Sequence, residues 1–344
     1  MRKYFTVRKR FASFRIDKKS LLVIIAFCVI LFMSMLIGLS IGSTWVSPFT
    51  VLQYLFGFGG GGDDFIIDVL RLPRMVLALL VGAALGVAGL ILQEMVRNPL
   101  ASPDIIGITS GASVAAVLFI TLFSGIISIS FLPLAAMFGA GLVSLLIYFL
   151  AWKEGVTPIR LILIGIGVAA AMDALTTMMI VFSPIETANQ AYTWLTGSVY
   201  GTTWEDVTAM APWVLLLIPL AFLCTRAIHV QQLGDGVAVG LGAKIQSQRF
   251  FMILISVGLA GIAVAFAGGV GFVGLMAPHI GRFFVGRSFA ALVPVSAVVG
   301  GWMVVVADVI ARTAFHPLDL PVGVLISGIG APFFIYLLYR NRHL

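Results

Sequence analysis

Residues 71–111 read RLPRMVLALLVGAALGVAGLILQEMVRNPLASPDIIGITSG, and their reading decides the fold. An apolar run long enough to cross a bilayer follows two arginines, then breaks at a polar turn holding Pro99 and Pro103 before a second Gly/Ser-rich apolar run begins. A bilayer core of about 30 Å needs about 20 helical residues per crossing, which the first run supplies. A simple membrane anchor has no use for the turn that follows.

The same character extends outward in both directions. Of 344 residues, 60% are apolar and 10% charged, too little polar surface to coat a water-soluble globule of this length. Ten stretches qualify as spans: residues 21–42, 75–96, 105–123, 131–151, 159–182, 207–224, 250–267, 272–285, 291–311 and 320–338. The eighth is short for a crossing and is expected to be broken or tilted. Hydrophobicity within the runs is continuous rather than alternating, which excludes a β-barrel. The expected fold class is all-α, a polytopic membrane protein of about ten helices, with a basic tail at 1–20 and one transmembrane domain at 21–344.

Charge gives the threading. Eight basic residues precede the first span, and ten more, Arg97 to Arg342, fall on the same side when ten spans are threaded. Only Arg71, Arg74 and Arg312 fall on the other side. The positive-inside rule then puts both termini in the cytoplasm. A cleaved signal peptide fits poorly, because residues 21–42 exceed an apolar signal core and no small-x-small site follows. The net charge of +7 is explained by flanks meeting anionic lipid, without nucleic acid.

Several loops should carry short helices. Residues 48–56 and the Tyr192/Trp194 segment at 187–201 suit helices lying in the interface. The turn at 59–62 is all glycine. The long loop 226–249 contains a possible short helix at 233–242 capped by Asp235, either a docking element or a plain connection. GAALGVAGLILQ with NPLASPDIIG is echoed five spans later by GLAGIAVAFAG with GFVGLMAPHIGR, the offset of an inverted repeat. Gly82 and Gly86 have the spacing that lets two helix backbones approach.

No enzyme constellation is present: the chain lacks G-x-S-x-G, H-E-x-x-H and C-x-x-C, and Cys28 and Cys224 lie in separate spans. The Gly268–Gly274 stretch is no phosphate loop, because the chain contains no Gly-Lys dipeptide. No metal site is expected from the scattered His229, His279, His316 and His343. Asp308 and Arg312, four apart, can pair within one helix. Asp173, in mid-span, either lines a polar pathway or bonds between helices. The three outer arginines either snorkel to lipid phosphate or form a ring for an acidic partner.

RLPR at 71–74, NPLASPDIIGITSGA at 98–112, the two Leu-Gly pairs of 233–242, GFVGLMAPHIGR at 271–282, ADVIAR at 307–312 and LPVGVLISGIGAPFFIYLL at 320–338 together resemble the FecCD-type permeases of ATP-binding-cassette importers. That resemblance implies a type II importer permease of the bacterial cell membrane. It implies pairing with an identical or homologous permease, two cytoplasmic ATPase subunits and an extracytoplasmic solute-binding protein. Ferric siderophore is the expected cargo, with haem or vitamin B12 as the alternative. From another class, an ion-coupled secondary transporter would place coupling on Asp173 or Asp308. ATP is expected on the partner subunits, with no cofactor or metal on this chain.

By the same resemblance, Arg71, Arg74 and Arg312 dock the binding protein. Leu233, Gly234, Asp235, Gly236, Ala238, Leu241 and Gly242 form the ATPase-coupling loop, and Asn98, Leu100, Thr157 and Pro158 form a cytoplasmic gate. Asp235-Gly236 departs from the acidic pair usual in relatives, and Gly240 and Gly242 each lower helix propensity by roughly 1 kcal/mol against Ala.

Overall fold

The computed structural model describes residues 4–8, 13–59, 61–123, 126–314 and 319–340, with side chains from Asp17 onward. Parts of the basic tail, Gly60 of the glycine turn, His316 and His343 lie outside the described residues. Strands β1 (Tyr4–Arg8) and β2 (Ser13–Asp17) pair antiparallel, so the described part of the expected tail is a hairpin that runs into the first helix. The helices are α1 (Lys18–Ser40), α2 (Pro48–Leu55), α3 (Leu72–Val96), α4 (Ile108–Phe123), α5 (Leu132–Leu150), α6 (Pro158–Val181) and α7 (Ile185–Leu195). They continue with α8 (Trp204–Leu223), α9 (Thr225–Gln231), α10 (Asp235–Gly240), α11 (Ile245–Ala267), α12 (Val273–Val285), α13 (Phe289–Thr313) and α14 (Val322–Arg340).

Eight of these helical stretches are long and apolar enough to cross a membrane, and the two shorter apolar helices, α4 and α12, coincide with the third and eighth expected spans. The multi-pass reading is thereby met. The interfacial helices expected near 48–56 and 187–201 are α2 and α7.

The second span departs from expectation at its start. A π-helical turn, Ile66–Arg71, leads straight into α3, so Arg71 and Arg74 lie inside a helix instead of at its beginning. Pro73 has no N–H to give the preceding turn. That turn widens, and the Leu72 N–H reaches back to the Ile67 carbonyl. At the far end α3 stops at Arg97, which takes the left-handed conformation (φ 57°) usually left to glycine.

Helix α3 is the axis of the molecule. In the continuous helical stretch Ile66–Val96 that contains it, 83% of the most apolar part is buried, against 11% for α1 and 17% for α6. It packs on α11, α12 and most extensively α13, so the two echoing segments, α3 and α11, are neighbours. Small residues make the approach possible. A Cβ at Gly82 would strike the Gly300 carbonyl, one at Gly86 the Ser296 carbonyl, and one at Gly89 the Gly274 carbonyl. The expected small-residue contact therefore joins α3 to α13, with Gly89 extending it to α12.

Around this axis α4 packs on α5 and α6, and the break between α3 and α4 is filled by a single 3-10 turn, Pro103–Ile106. Gly165 of α6 lies so close to this turn that a Cβ there would meet the Ile105 carbonyl. Little else of α6 is covered.

Candidate functional site

Two groups of charged side chains lie at opposite ends of the α3–α13 axis. At one end the fold gathers Arg71, Arg74 and Arg312, the three arginines singled out by the charge count. They border an open cavity of about 720 Å³ that also touches Tyr200, Asp308 and Asp319.

Each of these arginines already has internal partners. Arg71 donates to the carbonyls of Leu39 (2.6 Å), Ser40 (3.2 Å) and Thr44 (2.6 Å). Arg312 donates to those of Ile41 (2.9 Å) and Gly38. Both therefore sit on the C-terminal carbonyls of α1, which lack helical partners and carry the negative end of the helix dipole. Arg74 donates through Nε to Asp308 (2.9 Å) and grips Asp319 with both terminal nitrogens at 2.7 and 2.9 Å, its guanidinium 5.5 Å from the Tyr200 ring centroid. This fork geometry is what arginine offers and lysine does not.

The intrahelical pair expected between Asp308 and Arg312 is the looser contact, at 3.7 Å, because Arg74 approaches the same carboxylate to 2.8 Å. Asp308 is fully buried, so its charge depends on these arginines. Sequence reasoning passed over Asp319. An acidic residue directly before the LPVG segment, on the side that holds three arginines, was the available signal.

At the opposite end the structure brings together the segments for which the resemblance implies gate and coupling roles. Asn98 Oδ1 accepts the Leu100 N–H at 2.9 Å, closing the turn after α3. Thr157 and Pro158 begin α6, and their neighbour Val156 is held at both backbone groups: its N–H donates to Gln246 Oε1 (2.9 Å) and its carbonyl accepts from Arg249 (2.9 Å).

The coupling segment forms its short helix, α10, but Asp235 is not the cap. Gly234 occupies that position with φ 106°, and Asp235 is the first helical residue. Its carboxylate instead accepts from Arg249 (2.7 and 2.9 Å) and Arg97 (2.6 Å). Burial pushes the Asp235 carboxyl upward, but the hydrogen bonds and charges of Arg249 and Arg97 outweigh it and hold the group below its ordinary range. Ala238 is buried, Gly242 turns with φ 80°, and Leu233, Val237, Val239 and Leu241 are exposed.

Further contacts tie this end to α12. Arg282 pairs with Glu94 (2.9 Å) and donates to Gln93 (2.6 Å), while Gln232 donates to the other Glu94 oxygen (2.7 Å). Asp173 stands apart. It is exposed on α6, and its carboxylate makes no hydrogen bond or ion pair among the described residues. The described residues contain no group of three or more His, Cys, Asp or Glu side chains placed to hold a metal ion.

Comparison with known proteins agrees with this architecture. The chain is 50% identical over 309 residues to the achromobactin transport system permease protein CbrC of Dickeya dadantii, covering 90% of this chain and 88% of that protein. It is 43% identical over 342 residues to the probable siderophore transport system permease protein YfhA of Bacillus subtilis, covering 98% and 100%. Among solved structures, a metal-chelate type ABC transporter in an inward-facing conformation superposes with a TM-score of 0.81 at 29% identity, covering 93% of this chain and 99% of that one. The family model of the FecCD transport family matches residues 29–340, and the chain belongs to that family.

Proposed function

We propose that this chain is the permease subunit of an ATP-driven importer of ferric siderophores. The observation that carries the reading is identity of 43–50% across nearly the whole chain to permeases named for siderophore transport. Two such subunits, identical or homologous, enclose the translocation path between them. The α6 surface supports this. An apolar helix with a carboxylate in mid-bilayer and little cover from its own chain suits the wall of a wet path shared with a second copy.

Membership of a bacterial transport family supports an inner membrane location, and the distribution of basic residues supports both termini in the cytoplasm, the arginine-lined cavity outside and α10 inside. Two ATPase subunits bind, each against the α10 of one permease subunit, where exposed Val237 and Val239 with the flanking Leu233 and Leu241 suit an apolar groove. ATP is bound and split there, and this chain carries no cofactor. A solute-binding protein delivers cargo at the arginine end. Arg71 and Arg312 hold α1, so a partner carboxylate engages Arg74 by competing with Asp319, whose side chain is 28% exposed.

Deletion of the gene, followed by uptake of radio-iron as achromobactin, hydroxamate and citrate complexes, tests the reading. Loss of uptake of one complex, restored by the cloned gene, is expected. Unchanged uptake of all three overturns it.

A further inference from the structure

The geometry points to Asp235 as the joint through which movement of α10 reaches both turns of the inner gate, and we propose it as a positioning residue for gating. The proposal rests on the reading of the chain as an importer subunit and on the gate role that the family resemblance gives to the turns holding Asn98 with Leu100 and Thr157 with Pro158. Its ground is a continuous set of contacts. Arg97, the residue before Asn98, donates to one Asp235 oxygen at 2.6 Å. Arg249 donates to both Asp235 oxygens at 2.7 and 2.9 Å, and with its other terminal nitrogen holds the carbonyl of Val156, the residue before Thr157. One carboxylate on the short helix is thus attached to the residue preceding each gate turn.

Three features favour transmission over simple anchorage. First, α10 is lightly held: it packs mainly on its neighbours α9 and α11, and of its six residues only Ala238 is buried. The ion pairs are its main polar attachment to the bundle. Second, the link is stiff where it must be. Arg249 is 2% exposed, its guanidinium is planar, and Gln246 from the same helical turn holds the N–H of the very residue whose carbonyl Arg249 holds. Third, Arg97 adopts a left-handed conformation where glycine is usual. A glycine there could not reach Asp235 or the Gln231 carbonyl, to which Arg97 also donates. The turn keeps a strained residue whose side chain binds the coupling segment.

Packing provides the return path. Displacing α10 pulls on the end of α3 through Arg97 and on the start of α6 through Arg249 and Val156. Because the same carboxylate serves both, the two turns move together.

The test uses the permease assembled with its ATPase subunits in nanodiscs, with Cys28 and Cys224 replaced by serine and spin labels on Pro99→Cys and Lys153→Cys, two exposed positions beside the gate turns. The distance between labels is measured without nucleotide and with ATP and vanadate. In the otherwise unaltered chain, nucleotide is expected to shift the distance. Asp235→Asn and Arg97→Gln are expected to lose that shift while ATPase subunits co-purify in the usual ratio, and Asp235→Glu to restore it. Arg97 is 39% exposed in its side chain, so its variant keeps the test open should Asp235→Asn fold poorly.

A full shift in both Asp235→Asn and Arg97→Gln overturns the joint and leaves the importer reading standing. Loss of the ATPase subunits from the variants also overturns it, since Asp235 would then be an attachment point only. An unaltered chain that recruits no ATPase overturns the importer reading itself.

Discussion

The two ends of the α3–α13 axis use the same chemistry to different effect. At the arginine end the shared carboxylate, Asp308, is fully buried and belongs to a long helix, so the cluster is an anchor. At the other end the shared carboxylate, Asp235, has a side chain 44% exposed and belongs to a six-residue helix. Water competes for it, and in the element that carries it only Ala238 is buried. Burial of the acid, more than the number of arginines around it, separates a fixed point from a movable one.

The largest effect that would sharpen this contrast is at Asp308. Asp308→Ala leaves Arg74 and Arg312 buried without their common carboxylate, at an expected cost of about 3–5 kcal/mol, read as a lower unfolding temperature of the detergent-purified chain. Next comes the seam joining the ends. Gly89→Ala drives a methyl group into the Gly274 carbonyl and should cost about 1–3 kcal/mol in the same assay.

Asp319→Ala, which removes the forked partner of Arg74 at a partly exposed site, should cost about 1–2 kcal/mol and tighten binding of the solute-binding protein in a titration. Asp235→Asn should change stability least, by less than about 1 kcal/mol, because the carboxylate itself is 44% exposed and the asparagine oxygen still accepts a hydrogen bond from the buried Arg249. A cost at Asp235 equal to that at Asp308 would break the comparison.

Acidity provides a last, smaller test. The folded carboxyl of Asp235 lies below its ordinary value of 3.8, so its contribution is complete above that value and is lost only as pH falls through the lowered one. The ATP-driven change at the gate should therefore be flat from mildly acidic to neutral pH. A midpoint in that range would mean that another group controls it.

Much of this arrangement is legible along the chain. Span positions follow from uninterrupted apolar runs, and the arginine trio stands out because basic residues on the outer side are rare. The short helices α2, α7 and α10 follow from Pro48, from the Tyr192/Trp194 spacing and from the Leu-Gly pairs. Partners are what linear reading missed. Asp319 pairs with a residue 245 positions earlier, and Asp235 reads as a helix cap until Arg97, 138 positions away, is brought beside it. Hydropathy also cannot separate α3 from α6, since both are apolar enough to span, yet one is the core and the other largely bare.

The outer cluster also has a history in time. The carbonyls that Arg71 seizes are made 27 to 32 residues before it, whereas Asp308 follows Arg74 by 234 residues. At about 5–20 residues per second, that interval is roughly ten to fifty seconds. Arg71 therefore finds its partners at the end of α1 among residues already made when it emerges. Arg74, by contrast, meets Asp308 only after nine further helices, α4 to α12, have been made.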